Sequence, residues 1–303
     1  MAPETAKNNP QLDRVMEQYR ELAQSAREAQ GPAEVRAALD RHFGGFPSAG
    51  AVKCEPVTAG GVKAEWITAP SADREHVILY LHGGGYAAGS IASHREIAAR
   101  LSKAAEARCL VADYRLAPEN PFPAAVEDAT SAYKWLLDQD CRPERLAIAG
   151  DSAGGGLTIA TLVALRDGRI PLPAAAACLS PWVDLEATGG TADSNANLDP
   201  LVSREVLLMF TSMYLGDRDP RTPLASPLYA DLHGLPPLLI QVGSGEVLLD
   251  DARRLADRAR AAGVKVELEI WPDMPHVWHW CAPILDDGQR AIEKIGAFVR
   301  ART

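Results

Sequence analysis

Apolar and polar positions along this 303-residue chain follow two alternating periods. Leu12, Val15, Met16, Tyr19, Leu22, Ala23 and Ala26 recur at intervals of three and four, one face of an amphipathic helix. Gly31-Pro32 ends it, and a shorter run of the same kind (Val35, Leu39, His42, Phe43) stops at Gly44-Gly45. Short apolar runs come next. Strands are expected at about 51–57, 62–67 and 77–81, the first two joined as a hairpin through Ala59-Gly60-Gly61. A helix over 93–105, a strand over 109–114 and a helix over 124–138 lead to the apolar strand beginning at Leu146, which a helix-like run from Leu157 to Leu165 follows. Further strands are expected at 175–179, 237–242 and 264–271, with a closing helix at 291–301.

Strands alternating with helices predict an α/β fold with a mostly parallel sheet covered on both faces, the hairpin pair forming an antiparallel edge. The opening helices precede the first strand and are extra to the sheet. Their apolar stripe must pack on something: a lid over the site is the first expectation, the body of the protein or a partner subunit the alternative. The rhythm changes again between Asp184 and Ser226, where 187–197 and 216–227 read as loop around one helix at 204–214. A long insertion of this kind is usually functional. The expected division is N-terminal cap helices over 1–48 and a catalytic core over 49–303 carrying a cap insertion at about 185–225.

Composition narrows the partners. A hydrophobic fraction of 47% and a charged fraction of 23% are ordinary for a soluble globular chain. A net charge of −9 argues against a nucleic-acid partner and against an anionic membrane surface. No apolar run approaches the roughly 18 residues of a membrane span. The charged first thirty residues carry no apolar segment of the signal-peptide kind, so a cytoplasmic protein is expected. Five scattered cysteines without C-x-x-C spacing fit free thiols in a reducing compartment and suggest no metal site.

The candidate chemistry begins at Gly150-Asp151-Ser152-Ala153-Gly154, a G-x-S-x-G sequence between a strand and a helix. Such a turn lifts the serine hydroxyl out of the sheet and sets a helix N-terminus beneath it, favouring developing negative charge. A second strand ends in His82-Gly83-Gly84-Gly85-Tyr86, whose glycines leave backbone N–H groups free to point at a substrate oxygen. A phosphate loop would want a lysine and Ser/Thr close behind, and Tyr-Ala-Ala-Gly follows instead. A serine nucleophile needs a base, and in α/β-hydrolases the order is Ser, acid, His. His276 and His279 both lie after the last strand, and His276 is nearer its end. For the acid, Glu246, Asp250 and Asp251 all follow the strand at 237–242, and the two aspartates have a helix N-cap role open to them. Asp151, beside the serine, reads as support for the turn.

His82-Gly83-Gly84-Gly85, Asp113-Tyr114-Arg115-Leu116-Ala117-Pro118-Glu119, Gly150-Asp151-Ser152-Ala153-Gly154-Gly155, Ser180-Pro181-Trp182-Val183-Asp184 and His276 together resemble the bacterial hormone-sensitive-lipase-like esterases. The resemblance runs from about Val77 to His276. It implies an α/β-hydrolase core with a helical cap and hydrolysis of a small carboxylic ester through an acyl-enzyme. It also implies no cofactor and often a homodimer paired through the sheet edge. By that pattern Ser152, Glu246 and His276 are catalytic, and Gly84, Gly85 and Ala153 supply oxyanion N–H groups while Gly83 shapes the turn. Many members carry aspartate where this chain has Glu246. Arg115 and Asp128 read as buried structural partners. A lactone or acetyl-amide hydrolase on the same site, or a non-catalytic small-molecule receptor that has lost a triad member, are the rival readings.

Overall fold

The structure is a computed structural model and describes residues 9–46 and 50–303. The expected boundary at 48/49 therefore lies outside the described residues. Two helices open the chain, α1 (Pro10–Glu28) and α2 (Pro32–Phe43). The hairpin β1 (Lys53–Ala59) and β2 (Val62–Thr68) follows, then β3 (Asp73–Leu81), α3 (Ile91–Ala105), β4 (Ala107–Ala112) and α4 (Ala124–Asp138). Next come β5 (Leu146–Asp151), α5 (Ala153–Asp167) and β6 (Ala175–Leu179). The insertion holds α6 (Thr191–Ser194) and α7 (Arg204–Leu215), and the chain closes with β7 (Leu238–Gly243), α8 (Leu249–Ala261), β8 (Val266–Trp271) and α9 (Asp286–Arg300).

The eight strands form one sheet in the order β1-β2-β4-β3-β5-β6-β7-β8. The β1–β2 and β2–β4 pairs are antiparallel and every later pair is parallel. Side-chain alternation sorts the apolar residues into two cores. Leu79, Leu81, Ile148, Cys178 and Ile240 point to the face covered by α4, α5 and α8. Ile78, Tyr80, Ala147, Ala149, Ala177 and Leu239 point to the opposite face, under α3 and α9. Because both faces are covered, the central strands are apolar at every position rather than every second one.

The stripe on α1 is buried through Val15, Tyr19 and Leu22, in the same core as α3, α9 and residues Val277 to Cys281. The Tyr19 hydroxyl donates to the Val277 carbonyl at 3.0 Å, which ties α1 to the loop after β8. From α2, Arg36 donates to the carbonyls of Ala87 and Ala117, both at 2.8 Å. The opening helices therefore sit beside the carboxyl ends of the parallel strands, where α/β sheets bind ligands. Among the described residues no helix is long and apolar enough to cross a membrane.

Candidate active site

Ser152 stands between β5 and α5 with φ 54° and ψ −120°, a strained conformation for a residue with a side chain. Its backbone is pinned from three sides. Its N–H donates to Leu179 O at 2.8 Å, and its carbonyl accepts from Trp182 N at 2.9 Å and Gly156 N at 3.1 Å. The close crossing of α5 over β3 explains one glycine directly: a Cβ on Gly154 would fall 2.0 Å from the Leu81 carbonyl oxygen.

The serine hydroxyl meets an imidazole brought from the far side of the sheet. His276 Nε2 lies 3.0 Å from Ser152 Oγ, and His276 Nδ1 lies 2.8 Å from Glu246 Oε2. Glu246, carried by the loop after β7, also accepts at Oε1 from the Ser180 hydroxyl at 2.8 Å and from Gly243 N at 2.6 Å. Ser180 in turn accepts from Val277 N at 3.1 Å, so one buried hydroxyl links the acid to the loop that carries the histidine. Glu246 and His276 are buried, whereas Ser152 is only half-buried.

Burial penalises the charged imidazole. The hydrogen bond and charge of Glu246, joined by the charges of Asp199 and Asp151, outweigh it and hold the His276 pKa above its ordinary value. Burial raises the Glu246 carboxyl as well, and its contact with His276 moderates the rise. A carboxylate accepting at Nδ1 fixes the proton there and leaves Nε2 as the acceptor facing the hydroxyl. Such an imidazole takes a proton from the serine as it attacks.

The loop after β3 carries His82-Gly83-Gly84-Gly85, whose glycines are expected to serve the serine. Gly84 has φ 113°, and a Cβ there would fall 2.3 Å from Ala88 O. Its carbonyl accepts from Ala87 N at 3.1 Å and Ala88 N at 2.8 Å, which turns the loop back on itself. Among the described residues neither the Gly84 nor the Gly85 N–H donates to any group. Ala153 N opens α5 and has no intrahelical acceptor. The Phe210 ring of α7 lies against Gly85, so close that a Cβ there would fall 2.5 Å from it.

Asp151 does more than support the serine turn. It accepts from Gly83 N at 3.1 Å and from the Tyr80 hydroxyl at 2.7 Å, and its other oxygen lies 3.3 Å from His94 Nε2. Burial alone would raise its pKa, but the contact with His94 and the Tyr80 donor hold it below the usual carboxylate range. This buried anion anchors the glycine loop. His82 itself stacks on Tyr114, with ring centroids 4.2 Å apart, and burial pushes its pKa to about 3. It is a neutral packing residue.

The structure separates the remaining candidates. His279 is buried beside Gln241, 2.8 Å from its Oε1, and burial pushes its pKa to about 3; it does not meet Ser152. Neither aspartate is the N-cap of α8, a position held by Leu248. Asp250 accepts from Thr191 N at 3.1 Å, and Asp251 accepts from Val183 N and Asp184 N, each at 3.0 Å. The backbone N–H groups they accept from belong to the chain after β6 rather than to the start of α8, and Asp250 Oδ1 also meets Arg253 of its own helix at 3.5 Å. Arg115 does pair with Asp128, yet its side chain is 47% exposed, so only the aspartate is a buried partner. Three residues that sequence reasoning gave no role also surround the acid: Ser180, Asn195 and Asp199. Ser180 stands in the Ser-Pro-Trp stretch of the resemblance, whereas Asn195 stands in the segment 187–197 read as loop and Asp199 just beyond it. Among the described residues no group of His, Cys, Asp or Glu has a geometry to hold a metal ion.

Comparison with known proteins places this geometry among relatives. Residues 78–280 match the model of a family described as having the alpha/beta hydrolase fold. An acetyl-hydrolase of Streptomyces hygroscopicus is 51% identical over 268 residues, which cover 88% of this chain and 89% of that protein. An esterase of Acinetobacter venetianus is 34% identical over 268 residues, covering 88% of each. Among solved structures, an esterase from the bacterial hormone-sensitive lipase family superposes with a TM-score of 0.95 at 52% identity, covering 98% of this chain and 99% of that one.

Proposed function

Since the chain belongs to the α/β-hydrolase fold family, among the esterases of the bacterial hormone-sensitive lipase type, we propose that it is a serine carboxylesterase acting on small, short-chain esters. The observation that carries this reading is the continuous run Ser152 Oγ to His276 Nε2 at 3.0 Å and His276 Nδ1 to Glu246 at 2.8 Å. Ser152 is the nucleophile, His276 the general base and then acid, and Glu246 the residue that fixes the tautomer and stabilises the imidazolium.

Attack of Ser152 Oγ on the ester carbonyl passes its proton to His276 Nε2. The N–H groups of Gly84, Gly85 and Ala153 donate to the developing oxyanion, each donor worth about 3 kcal/mol in the transition state. His276 then protonates the departing alcohol, and water, deprotonated by the same nitrogen, releases the acid and frees Ser152. The helices α1 and α2 and the insertion over about 185–225 form the cap over this site, the enzyme works in the cytoplasm, and it pairs through the sheet edge as a homodimer. The name of the Streptomyces relative favours acetyl esters as the first probe.

The test is turnover of p-nitrophenyl esters, acetylated amides and lactones by the wild type and by Ser152→Ala. Hydrolysis of short esters that disappears in a folded Ser152→Ala supports the reading. Turnover confined to amides or lactones would reassign the substrate class, and a wild type inert on all three would favour the receptor reading.

A further inference from the structure

The loop that carries Glu246 is held on one side by the sheet and on the other by the insertion. Asn195 Nδ2 donates to both Ser244 O, at 3.1 Å, and Glu246 O, at 3.0 Å. Asp199 Oδ2 accepts from Val247 N at 3.1 Å. The Thr191 hydroxyl donates to Val247 O at 2.8 Å and accepts from Asp250 N at 2.9 Å. The backbone carbonyl of the acid and the amide that follows it are thus both taken by side chains some fifty positions earlier in the chain. Asp199 has no freedom of its own: its Oδ1 accepts from Leu201 N at 3.0 Å and Val202 N at 2.9 Å, and the residue is buried.

Resting on the reading of Ser152, His276 and Glu246 given above, we propose that Asn195 and Asp199 are positioning residues that clamp the Ser244–Val247 turn and so set where the Glu246 carboxylate meets His276. The clamp belongs to the insertion and not to the core, so the insertion completes the acid's geometry as well as covering the site. A displacement of about 1 Å at a reacting group can cost about a hundredfold in rate, and two side chains holding three backbone groups are placed to prevent it.

Asp199 also adds charge. Burial raises its pKa, and His276 with the N–H groups of Val202, Val247 and Leu201 opposes that rise; both its oxygens accept from N–H donors, the arrangement a carboxylate satisfies. His276 is faced by Glu246 from the loop after β7, Asp199 from the insertion, Asp151 from the end of β5 and His279 from its own loop. Asp199 is faced in turn by His276, by Glu246 of the loop after β7 and by Tyr19 of α1. Removing the Asp199 charge takes away one of three anions that favour the imidazolium, so His276 should lose its proton at lower pH.

The test compares Asn195→Ala, Asp199→Asn and Ser152→Ala with the wild-type chain on p-nitrophenyl acetate from pH 5 to 9, with thermal unfolding alongside. Asn195→Ala should lower kcat by about ten- to a hundredfold with KM within about twofold. Asp199→Asn should lower kcat similarly and move the acid limb of kcat/KM to lower pH. A merely structural role would lower the unfolding temperature and leave both the kcat/KM split and the limb in place. If Asp199→Asn does not fold, Asn195→Ala, which changes no charge, decides by its kcat. An inactive Ser152→Ala beside clamp variants of wild-type kcat would overturn this inference alone. An active Ser152→Ala would overturn the reading on which it rests.

Discussion

Glu246→Gln changes one atom and leaves the shape of the side chain intact, so its effect follows from hydrogen-bond directions. Glu246 Oε1 accepts from Ser180 and Gly243 N, and Oε2 accepts from His276 Nδ1. If the amide oxygen keeps the two donors, its NH2 faces Nδ1, which must then become an acceptor. The ring proton moves to Nε2 and points at Ser152, and the base is lost. If the amide turns over, its NH2 confronts the Gly243 N–H, donor against donor, at a cost of about 1–3 kcal/mol. The competent tautomer is thus depleted by about ten- to a hundredfold. The imidazolium formed during attack also loses its carboxylate. Together these should lower kcat by about 10⁴, or about 5.5 kcal/mol, the size seen when a triad acid is replaced isosterically. KM should change little, because Glu246 is buried away from the substrate. The assay is steady-state hydrolysis of p-nitrophenyl acetate by variants whose circular dichroism matches the wild type. A folded Glu246→Gln within about tenfold of wild-type kcat would refute the reasoning, and a silent Asp250→Asn beside it would move the acid.

Three other outcomes are expected. Activity should fall on the acid side with a midpoint above the ordinary histidine value of about 6.5, because Glu246, Asp199 and Asp151 hold the His276 proton; a kcat/KM flat from pH 5 to 8 would exclude a histidine base. Across p-nitrophenyl acetate to palmitate, rates should favour the short esters, and a sharp rise on emulsified palmitate would contradict the proposed cap, whose exposed large apolar residues among the described residues are Leu198, Leu208 and Met209. Asp251 is buried with its pKa pushed up from 3.8 to about 7, first by burial, so between those values the native state binds the extra proton. Stability should therefore fall as pH rises from about 4 to 7, by up to about 4 kcal/mol from this group. Asp251→Asn, which keeps an acceptor for Val183 N and Asp184 N, should flatten that slope in urea denaturation, and an unchanged slope would count against the assignment.

The core strands were legible because burial on both faces leaves long apolar runs, as in Val77 to Leu81 and Leu146 to Ala149. Ends were less so. The closing helix starts at Asp286, five residues before the expected 291, because Asp286, Asp287 and Arg290 place charge in its first turns while only Gly288 is buried there. The first strand runs Lys53–Ala59 rather than 51–57, its outer residues exposed and without an apolar signature. The short helix Thr191–Ser194 fell in a segment read as loop, being a single turn with no periodicity to detect. Ser152, Glu246 and His276, which the structure brings into contact, were singled out because each follows a strand end in the order the proposed chemistry needs. Ser180, Asn195 and Asp199 were not, since their partners lie 66, 51 and 48 positions away and only the fold brings them together. The aspartates at 250 and 251 misled for the same reason: a helix start suggests caps, while the backbone N–H groups they meet lie some sixty positions earlier, in the chain after β6.

The central claim is that Ser152 carries the acyl group, and trapping that intermediate tests it most directly. The wild-type enzyme, quenched in acid within milliseconds of mixing with p-nitrophenyl acetate and digested, should yield one peptide heavier by an acetyl group, with the modification on Ser152. Glu246→Gln should accumulate it more slowly, and Ser152→Ala should show none. An acetyl group on another residue, or full turnover by Ser152→Ala, would contradict the account.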